Sequence, residues 1–374
     1  MKFTVSRDYL FNALQNIIGV VPSKATMPIL QNIKMYSEDG LLKLMATDIE
    51  IMLVTWIPAE IEEEGASAVP ARTLFDIIRE LPSTELTISI DDHNRATIKT
   101  EFGEYKIIGQ SAAEFPKLPI VDAQSEINFD NQLLMRLIDK TIYTCAKDDL
   151  RPALNGVFMT LQNKLVAVST DSHRLTKLEI TDEAFSGKSF KALMPIRALN
   201  FVLRLLSDEG NTTIFFGDKH ALFNISDTLI YTRLIYNEQF PSYERVLPTE
   251  FESQMNIDKD AFISSLKRIK IFASKLTHQV YMNIYPDYVE LSAEDVDFGG
   301  EGHERISCEF TGENLFMAFN ANYLLEILQH IDDERIVLHM NSINTPAVIM
   351  PENQDESQHQ LVLIMPVKVV VKEE

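Results

Sequence analysis

Apolar positions along the chain follow two rhythms, and both rhythms return three times. Segments such as LLKLMATD (41–48), IEIMLVTWIPA (49–59), ATIKTEFGEYKIIG (96–109), KLVAVSTD (164–171) and RLTKLEITD (174–182) alternate apolar with polar residues and are rich in β-branched types. Period two with that composition predicts half-buried strands. ARTLFDIIREL (71–81), IRALNFVLRLL (196–206) and ANYLLEILQHI (321–331) place apolar residues three and four apart instead, which predicts amphipathic helices. A second set of helices is announced by Ser6-Arg7-Asp8 before YLFNALQNI, Asp130-Asn131-Gln132 before LLMRLIDKTI, and Asp258-Lys259-Asp260 before AFISSLKRI. Ser and Asp are good N-caps, because their side-chain oxygens accept the orphan N–H groups of the first turn. Short strands (MKFTV, EINF, QMNI) lead into these three helices.

The elements recur at nearly one interval. Phe115-Pro116, Phe240-Pro241 and Met365-Pro366 lie 125 residues apart, twice. Thr47-Asp48, Thr170-Asp171 and Glu294-Asp295 are spaced by 123 and 124, and Pro70-Ala71-Arg72, Pro195-Ile196-Arg197 and Asn320-Ala321-Asn322 by 125. A period of this length is that of a whole domain with its own core rather than of a solenoid repeat. The chain is therefore expected to be an α+β protein of three tandem copies of one strand-rich domain with two helices each: 1–122, 123–250 and 251–374. The boundaries are placed in the polar stretches at 121–126 and 247–253, each just after a Pro-containing turn.

Composition changes the picture in two places. Only Cys145 and Cys308 occur, and MKFTVSRDYLFN is too polar for a secretory leader, so a reducing, cytoplasmic compartment is expected. The longest apolar run, LVLIMP near the C-terminus, is too short for a membrane span. Net charge is −21, which taken alone argues against nucleic acid. The six helix windows (6–18, 71–81, 130–147, 196–206, 258–271, 321–331) hold 12 basic and 8 acidic residues, leaving the remainder at −25. Helices of neutral to positive charge on an acidic body suit a protein that surrounds DNA with weak contacts. Amphipathic surface helices with scattered charge give the same count.

The triplication, together with Thr170-Asp171-Ser172-His173-Arg174-Leu175, the run Phe240-Pro241-Ser242-Tyr243-Glu244-Arg245-Val246-Leu247-Pro248 and the terminal Met365-Pro366-Val367-Lys368, resembles the bacterial sliding-clamp family, the β subunits of DNA polymerase III. The resemblance spans the whole chain. It implies a ring of two crescent-shaped chains joined head to tail, with helices lining a central hole. It further implies a peptide-binding groove formed by Leu154, Thr170, His173, Arg174, Leu175, Pro241, Arg245, Val246, Leu363, Met365 and Pro366, with a neighbouring subsite at Asn320, Tyr323, Pro346 and Val367. An apolar pocket with a few polar rims anchors the aromatic and leucine side chains of short peptides, and Met365 adds adaptability. By the same resemblance Lys24, Arg72, Lys147, Arg151 and Arg197 contact DNA phosphates, while Tyr105 and Ile107 meet Ile271 and Phe272 of a second copy. The partners implied are encircled double-stranded DNA, a clamp loader, the replicative polymerase, other proteins carrying clamp-binding motifs, and a second copy of the chain.

The chain departs from the family at Ser172, where many members have Gly, at Lys368, where Arg is frequent, and at Val369-Val370-Val371-Lys372-Glu373-Glu374, which extend past the usual end. No P-loop or strand-bound GxGxxG appears, Gly299-Gly300-Glu301-Gly302 lacks a following helix, and the eight histidines show no metal-ligand spacing. No cofactor, metal or catalytic residue is expected. The alternative is a metal-dependent phosphodiesterase on a repeated scaffold, with Asp148-Asp149 and Asp332-Asp333 as ligands.

Overall fold

A computed structural model describes residues 1–148, 150–295 and 299–368, and within them the predicted threefold order of elements is present. The six helices are α1 (Arg7–Ile17), α2 (Ala71–Glu80), α3 (Asn131–Ile142), α4 (Ile196–Leu205), α5 (Lys259–Ile269) and α6 (Ala321–Gln329). Each starts directly at the end of a strand. Ser6 accepts the Asp8 N–H at 3.3 Å, Asp130 those of Gln132 and Leu133 at 2.9 and 3.2 Å, and Asp258 that of Ala261 at 2.7 Å, as expected of N-caps. Helix α2 has no side-chain cap, because Pro70 stands there, whereas its counterpart α6 is capped by Asn320.

Helix α3 is shorter than its sequence window. It ends at Ile142, because the Thr141 carbonyl accepts hydrogen bonds from the Thr144 N–H and the Ser169 hydroxyl, which divert the chain before Lys147. Tyr143, Thr144 and Cys145 then turn inward and are buried.

Compactness divides the chain differently from its sequence repeats. One unit comprises residues 1–135 and 197–234, the other 136–196 and 235–374, so the central repeat is shared between them. In the first unit, an eight-stranded sheet runs in the order Ser125–Asp130, Asn211–Phe216, His220–Ile225, Thr228–Arg233, Ile51–Pro58, Leu41–Thr47, Asn32–Glu38, Ala66–Pro70. Its join is the antiparallel pairing of Thr228–Arg233 with Ile51–Pro58, in which Tyr231 lies opposite Met52. A five-stranded sheet in the same unit has Gly103–Ile108 at one edge, which among the described residues pairs only with Arg95–Thr100.

The second unit repeats this construction. Its nine-stranded sheet is joined by Gln358–Ile364 pairing with Arg174–Ile180, with Leu363 opposite Leu175. Its four-stranded sheet has Gly300–Ser307 at one edge, paired among the described residues only with Tyr288–Asp295. The cores lie between sheets and helices. In the second unit Phe262, Leu266 and Ile269 of α5 and Leu324, Ile327 and Leu328 of α6 pack on Val280, Met282, Leu291 and Phe319 of that sheet.

Both cysteines are free and buried, and burial pushes their thiols up, Cys145 to about 12 and Cys308 to about 11. The thiolate is the reactive form, so at pH 8 both thiols stay protonated and unreactive in the native chain. Labelling of the native chain by iodoacetamide at that pH is expected to be at least about 100-fold slower than in urea. Intact mass over time checks this.

Candidate functional site

The groove residues expected from sequence all fall in the second unit, and a tight turn organises them. Strand Leu165–Thr170 returns through Asp171, Ser172 and His173 into Arg174–Ile180. Thr170 Oγ1 donates to the Arg174 carbonyl at 2.7 Å and accepts the Ser172 N–H at 3.0 Å, while Asp171 Oδ1 accepts the N–H groups of His173 and Arg174 at 2.9 and 3.0 Å. Ser172 has φ +77°, so the conformation for which glycine is favoured is held here by a residue with a side chain. The first unit builds the same turn at Thr47–Ile51, with Ile49 at φ +85°. A β-branched residue there costs of order 1–3 kcal/mol.

Arg174 is nearly inaccessible and works from beneath the surface. Its Nε donates to Asp171 Oδ2 at 3.1 Å and Nη2 to the Tyr143 carbonyl at 3.0 Å. Nη1 lies 2.7 Å from Glu326 Oε2, an ion-pair distance without hydrogen-bond directionality. The guanidinium sits 4.5 Å from the Tyr323 ring centroid and 5.5 Å from that of Tyr143. His173 lies on the outer side, its ring 5.9 Å from that of Tyr323. Asn320 accepts the Asn322 and Tyr323 N–H groups at 2.9 and 3.4 Å, which fixes where Tyr323 leaves α6. Arg174 is thus a positioning residue that ties the turn to the helix carrying Tyr323. Burial and three partners leave it little surface of its own.

An apolar cluster of Val168, Leu175, Leu193, Phe240, Tyr243 and Leu363 contains two of the expected groove residues, Leu175 and Leu363. Phe158 stacks on Phe240 at 5.1 Å and closes one side. Burial, with Glu244 alongside, pushes the Tyr243 hydroxyl up to about 12, so it stays neutral. Pro241, Arg245 and Val246 flank Tyr243 and are exposed, Val246 at 52%. Past the strand Gln358–Ile364, the Met365 N–H donates to the His173 carbonyl at 2.8 Å and the Val367 N–H to the Ala318 carbonyl at 2.7 Å. These bonds hold Met365, 39% exposed, beside the turn, with Pro366 and Val367 following. Pro346 immediately precedes Ala347, which pairs with Ile364. Leu154 is buried, and its carbonyl accepts the Ala146 N–H at 2.9 Å. Val168, Leu193, Phe240 and Tyr243 of this cluster are not among the residues expected from sequence, although Phe240-Pro241 is one of the recurring landmarks.

The other candidates divide by unit. Lys24, Arg72, Lys147, Arg151 and Arg197 are all exposed. Arg151 is engaged with Asp148 at 3.0 Å and Ser172 at 2.6 Å, and Arg197 is paired with Asp48. Of the interface candidates, Ile271 is 77% exposed and Phe272 36%, while Tyr105 is half-buried and Ile107 is buried in its own unit. Phe272 lies on the edge strand Gly300–Ser307, where a Cβ at position 302 would meet its ring at 2.4 Å. Gly302 therefore permits that contact.

The carboxylates of the metal-site alternative have other work. Asp148 is held below the usual carboxylate range by the hydrogen bond from Arg151, Asp332 binds Lys140 and Arg136, and Asp333 accepts the Asn353 N–H at 2.6 Å. Asp149 and the tail at 369–374 lie outside the described residues. Among the described residues, no group of three or more His, Cys, Asp or Glu is arranged to hold a metal ion.

Residues 1–119, 128–242 and 244–368 match, in turn, the N-terminal, central and C-terminal domains of the DNA polymerase III beta subunit family. The chain is 28% identical over 373 residues to the beta sliding clamp of Chlamydia muridarum, covering 99% of both chains. It is 28% identical over 376 residues to that of Staphylococcus epidermidis, covering 97% of this chain and 98% of the relative. Among solved structures, the sliding clamp of Pseudomonas aeruginosa bound to griselimycin superposes with a TM-score of 0.93 at 26% identity, covering 99% of this chain and 100% of the other. The Bacillus subtilis clamp shares the fold with a TM-score of 0.94 at 24% identity, with coverage of 99% and 100%.

Proposed function

The chain belongs to the DNA polymerase III beta subunit family, a DNA sliding clamp and non-catalytic processivity subunit, and from that premise we propose how it closes, what it holds and where its partners dock. Two copies join head to tail into a ring around duplex DNA. The observation that carries this reading is a sheet junction made twice within the chain. Thr228–Arg233 pairs with Ile51–Pro58, and Gln358–Ile364 pairs with Arg174–Ile180. Stepping by the repeat, the third such pair is Gly103–Ile108 with Gly300–Ser307. Each is an edge strand of its sheet, Gly103–Ile108 at one end of the five-stranded sheet and Gly300–Ser307 at one end of the four-stranded sheet. An open sheet edge invites pairing, and a second copy satisfies both edges at once. Ile271 and Phe272, beside Gly300–Ser307, supply apolar area to that contact, and so does Ile108, 73% exposed on the other edge.

The test is mass in solution by light scattering. The full chain is expected to have the mass of two chains. Ile271→Asp, at a solvent-exposed position, is expected to weaken the dimer by roughly 30-fold or more, as for an interface anchor. A dimer of undiminished strength in that variant would place the contact elsewhere.

In this reading, the groove on the second unit takes a short aromatic- and leucine-bearing peptide from the replicative polymerase, the clamp loader and other clamp-binding proteins. Leu175, Leu363, Phe240 and Tyr243 form the floor, and Val246, Met365 and His173 the rim. Tethering turns each rebinding of the polymerase into an intramolecular event at high effective concentration, which is how a ring without an active site confers processivity. DNA passes with phosphate contacts only, through Lys24, Arg72, Lys147, Arg151 and Arg197, and these carry no sequence information. The three sequence domains, 1–122, 123–250 and 251–374, are the units of this ring. No helix among the described residues is long and apolar enough to cross a membrane, and a cytoplasmic location fits a replication subunit. The metal-dependent phosphodiesterase alternative has no support among the relatives.

A further inference from the structure

The chain builds its groove architecture twice. The floor on the second unit, Val168, Leu175, Leu193, Phe240 and Leu363, has a counterpart in the first unit, where Met45, Met52, Ala68 and Phe115 cluster with the half-buried Tyr231. Offsets of 123 and 125 carry Met45, Met52, Ala68 and Phe115 onto Val168, Leu175, Leu193 and Phe240, and the sheet register places Tyr231 where Leu363 stands in the other set. Met52 faces Tyr231 as Leu175 faces Leu363, and the Arg233 N–H donates to the Glu50 carbonyl at 2.9 Å as Met365 does to His173. Over this second floor lies a cavity of about 110 Å³, with Met52, Pro116 and Tyr231 in its wall. That is well below the roughly 300–1,000 Å³ of a pocket for a whole small molecule, and it suits one aliphatic side chain.

The rims differ in charge. Where the groove on the second unit presents His173, Ser242 and Met365, this pocket presents Glu50, Lys117 and Arg233. Arg233 and Glu50 are paired at 3.1 Å with both side chains well exposed, so exchanging that partner for another carboxylate costs little. Burial, then the charge of Arg233, lowers the His220 pKa, so at neutral pH the imidazole adds no charge to the balance. Two cations face one carboxylate.

We propose that this pocket is a second peptide-docking site, which takes one aliphatic side chain of an acidic segment of a partner protein, the flanking carboxylates meeting Lys117 and Arg233. The inference rests on the groove reading above for its frame, but its chemistry is its own. A partner anchored in the groove by an aromatic-leucine motif gains a second contact of different specificity on the same chain, and two weak contacts on one tether add avidity.

Two methionines report the two sites separately. In the full chain labelled with ¹³C at methionine methyls, with resonances assigned through Met52→Leu and Met365→Leu, the probe acetyl-Ser-Leu-Asp-Glu-amide is expected to shift the Met52 signal saturably. The double variant Lys117→Glu/Arg233→Glu is expected to weaken that response by about tenfold or more. It should leave the Met365 response to a Gln-Leu-Asp-Leu-Phe peptide unchanged. A Met52 signal that stays still at millimolar probe overturns the proposal, and so does a response undiminished by the charge reversal. A silent Met365 in the presence of Gln-Leu-Asp-Leu-Phe sinks the groove reading instead.

Discussion

A chain ending at Ile364 is expected to lose affinity for a Gln-Leu-Asp-Leu-Phe peptide by about 100-fold or more while keeping the mass of a dimer. The sheet pairing ends at Ile364, so the cut removes no ladder bond of Gln358–Ile364. It removes Met365, which the His173 carbonyl holds at the rim, and Val367, whose N–H donates to the Ala318 carbonyl. The floor of Leu175, Phe240, Tyr243 and Leu363 survives but loses one wall. Two anchoring contacts of 1–2 kcal/mol each give a loss of that order. Arg174→Ala is a less discriminating probe. It leaves Asp171 and Glu326 without their cation, and breaking such a buried pair costs about 3–5 kcal/mol, so any loss of binding would be mixed with loss of fold. Fluorescence anisotropy with the labelled peptide and light scattering on the same sample read the two properties. A chain ending at Lys368 keeps 365–368 and is expected to bind as the full chain does, which assigns the effect to those four residues. Loss of the dimer in the shorter chain would instead place the C-terminal segment in the ring contact.

Much of the fold is legible in the sequence alone. Helix starts were readable because Ser6, Asp130 and Asp258 use local chemistry, a side-chain oxygen meeting N–H groups two or three residues on. The strands followed from alternation. What the pattern does not carry is long-range pairing. Nothing in Thr228–Arg233 announces that its partner is Ile51–Pro58, more than 170 residues away, so the division of the central repeat between two compact units could not be read from it. The proposed groove rests on the resemblance at Thr170–Leu175 and Met365–Val367. The burial of Arg174 is not legible in the sequence, because a charged residue in a turn looks like surface until Tyr143, Tyr323 and Glu326 pack around it. Val168 and Leu193 escaped for the opposite reason. In sequence, an apolar strand residue that floors a groove is indistinguishable from one that fills a core.

Once loaded on a nicked circular plasmid, the ring is expected to stay bound in salt that strips ordinary electrostatic binders, and to run off within the same wash when the plasmid is linearised. Five phosphate contacts give a salt slope of about −4.5, a loss of roughly 10³-fold in affinity between about 0.1 and 0.5 M. That is an upper bound for this chain. Phosphates must compete with Asp148 for Arg151 and with Asp48 for Arg197, and the acidic remainder of a chain at −21 repels the polyanion. Contact alone therefore cannot hold it at high salt, whereas topology does not depend on salt at all. Gel filtration of loaded circles against linearised ones, with the labelled chain followed in the DNA peak, separates the two causes. Equal loss from both forms would show that the chain rests on DNA instead of surrounding it, and would remove the reason for weak contacts. Retention on circles alone would give the small set of exposed cations its physical sense: enough positive charge to centre the duplex, too little to stop it from sliding.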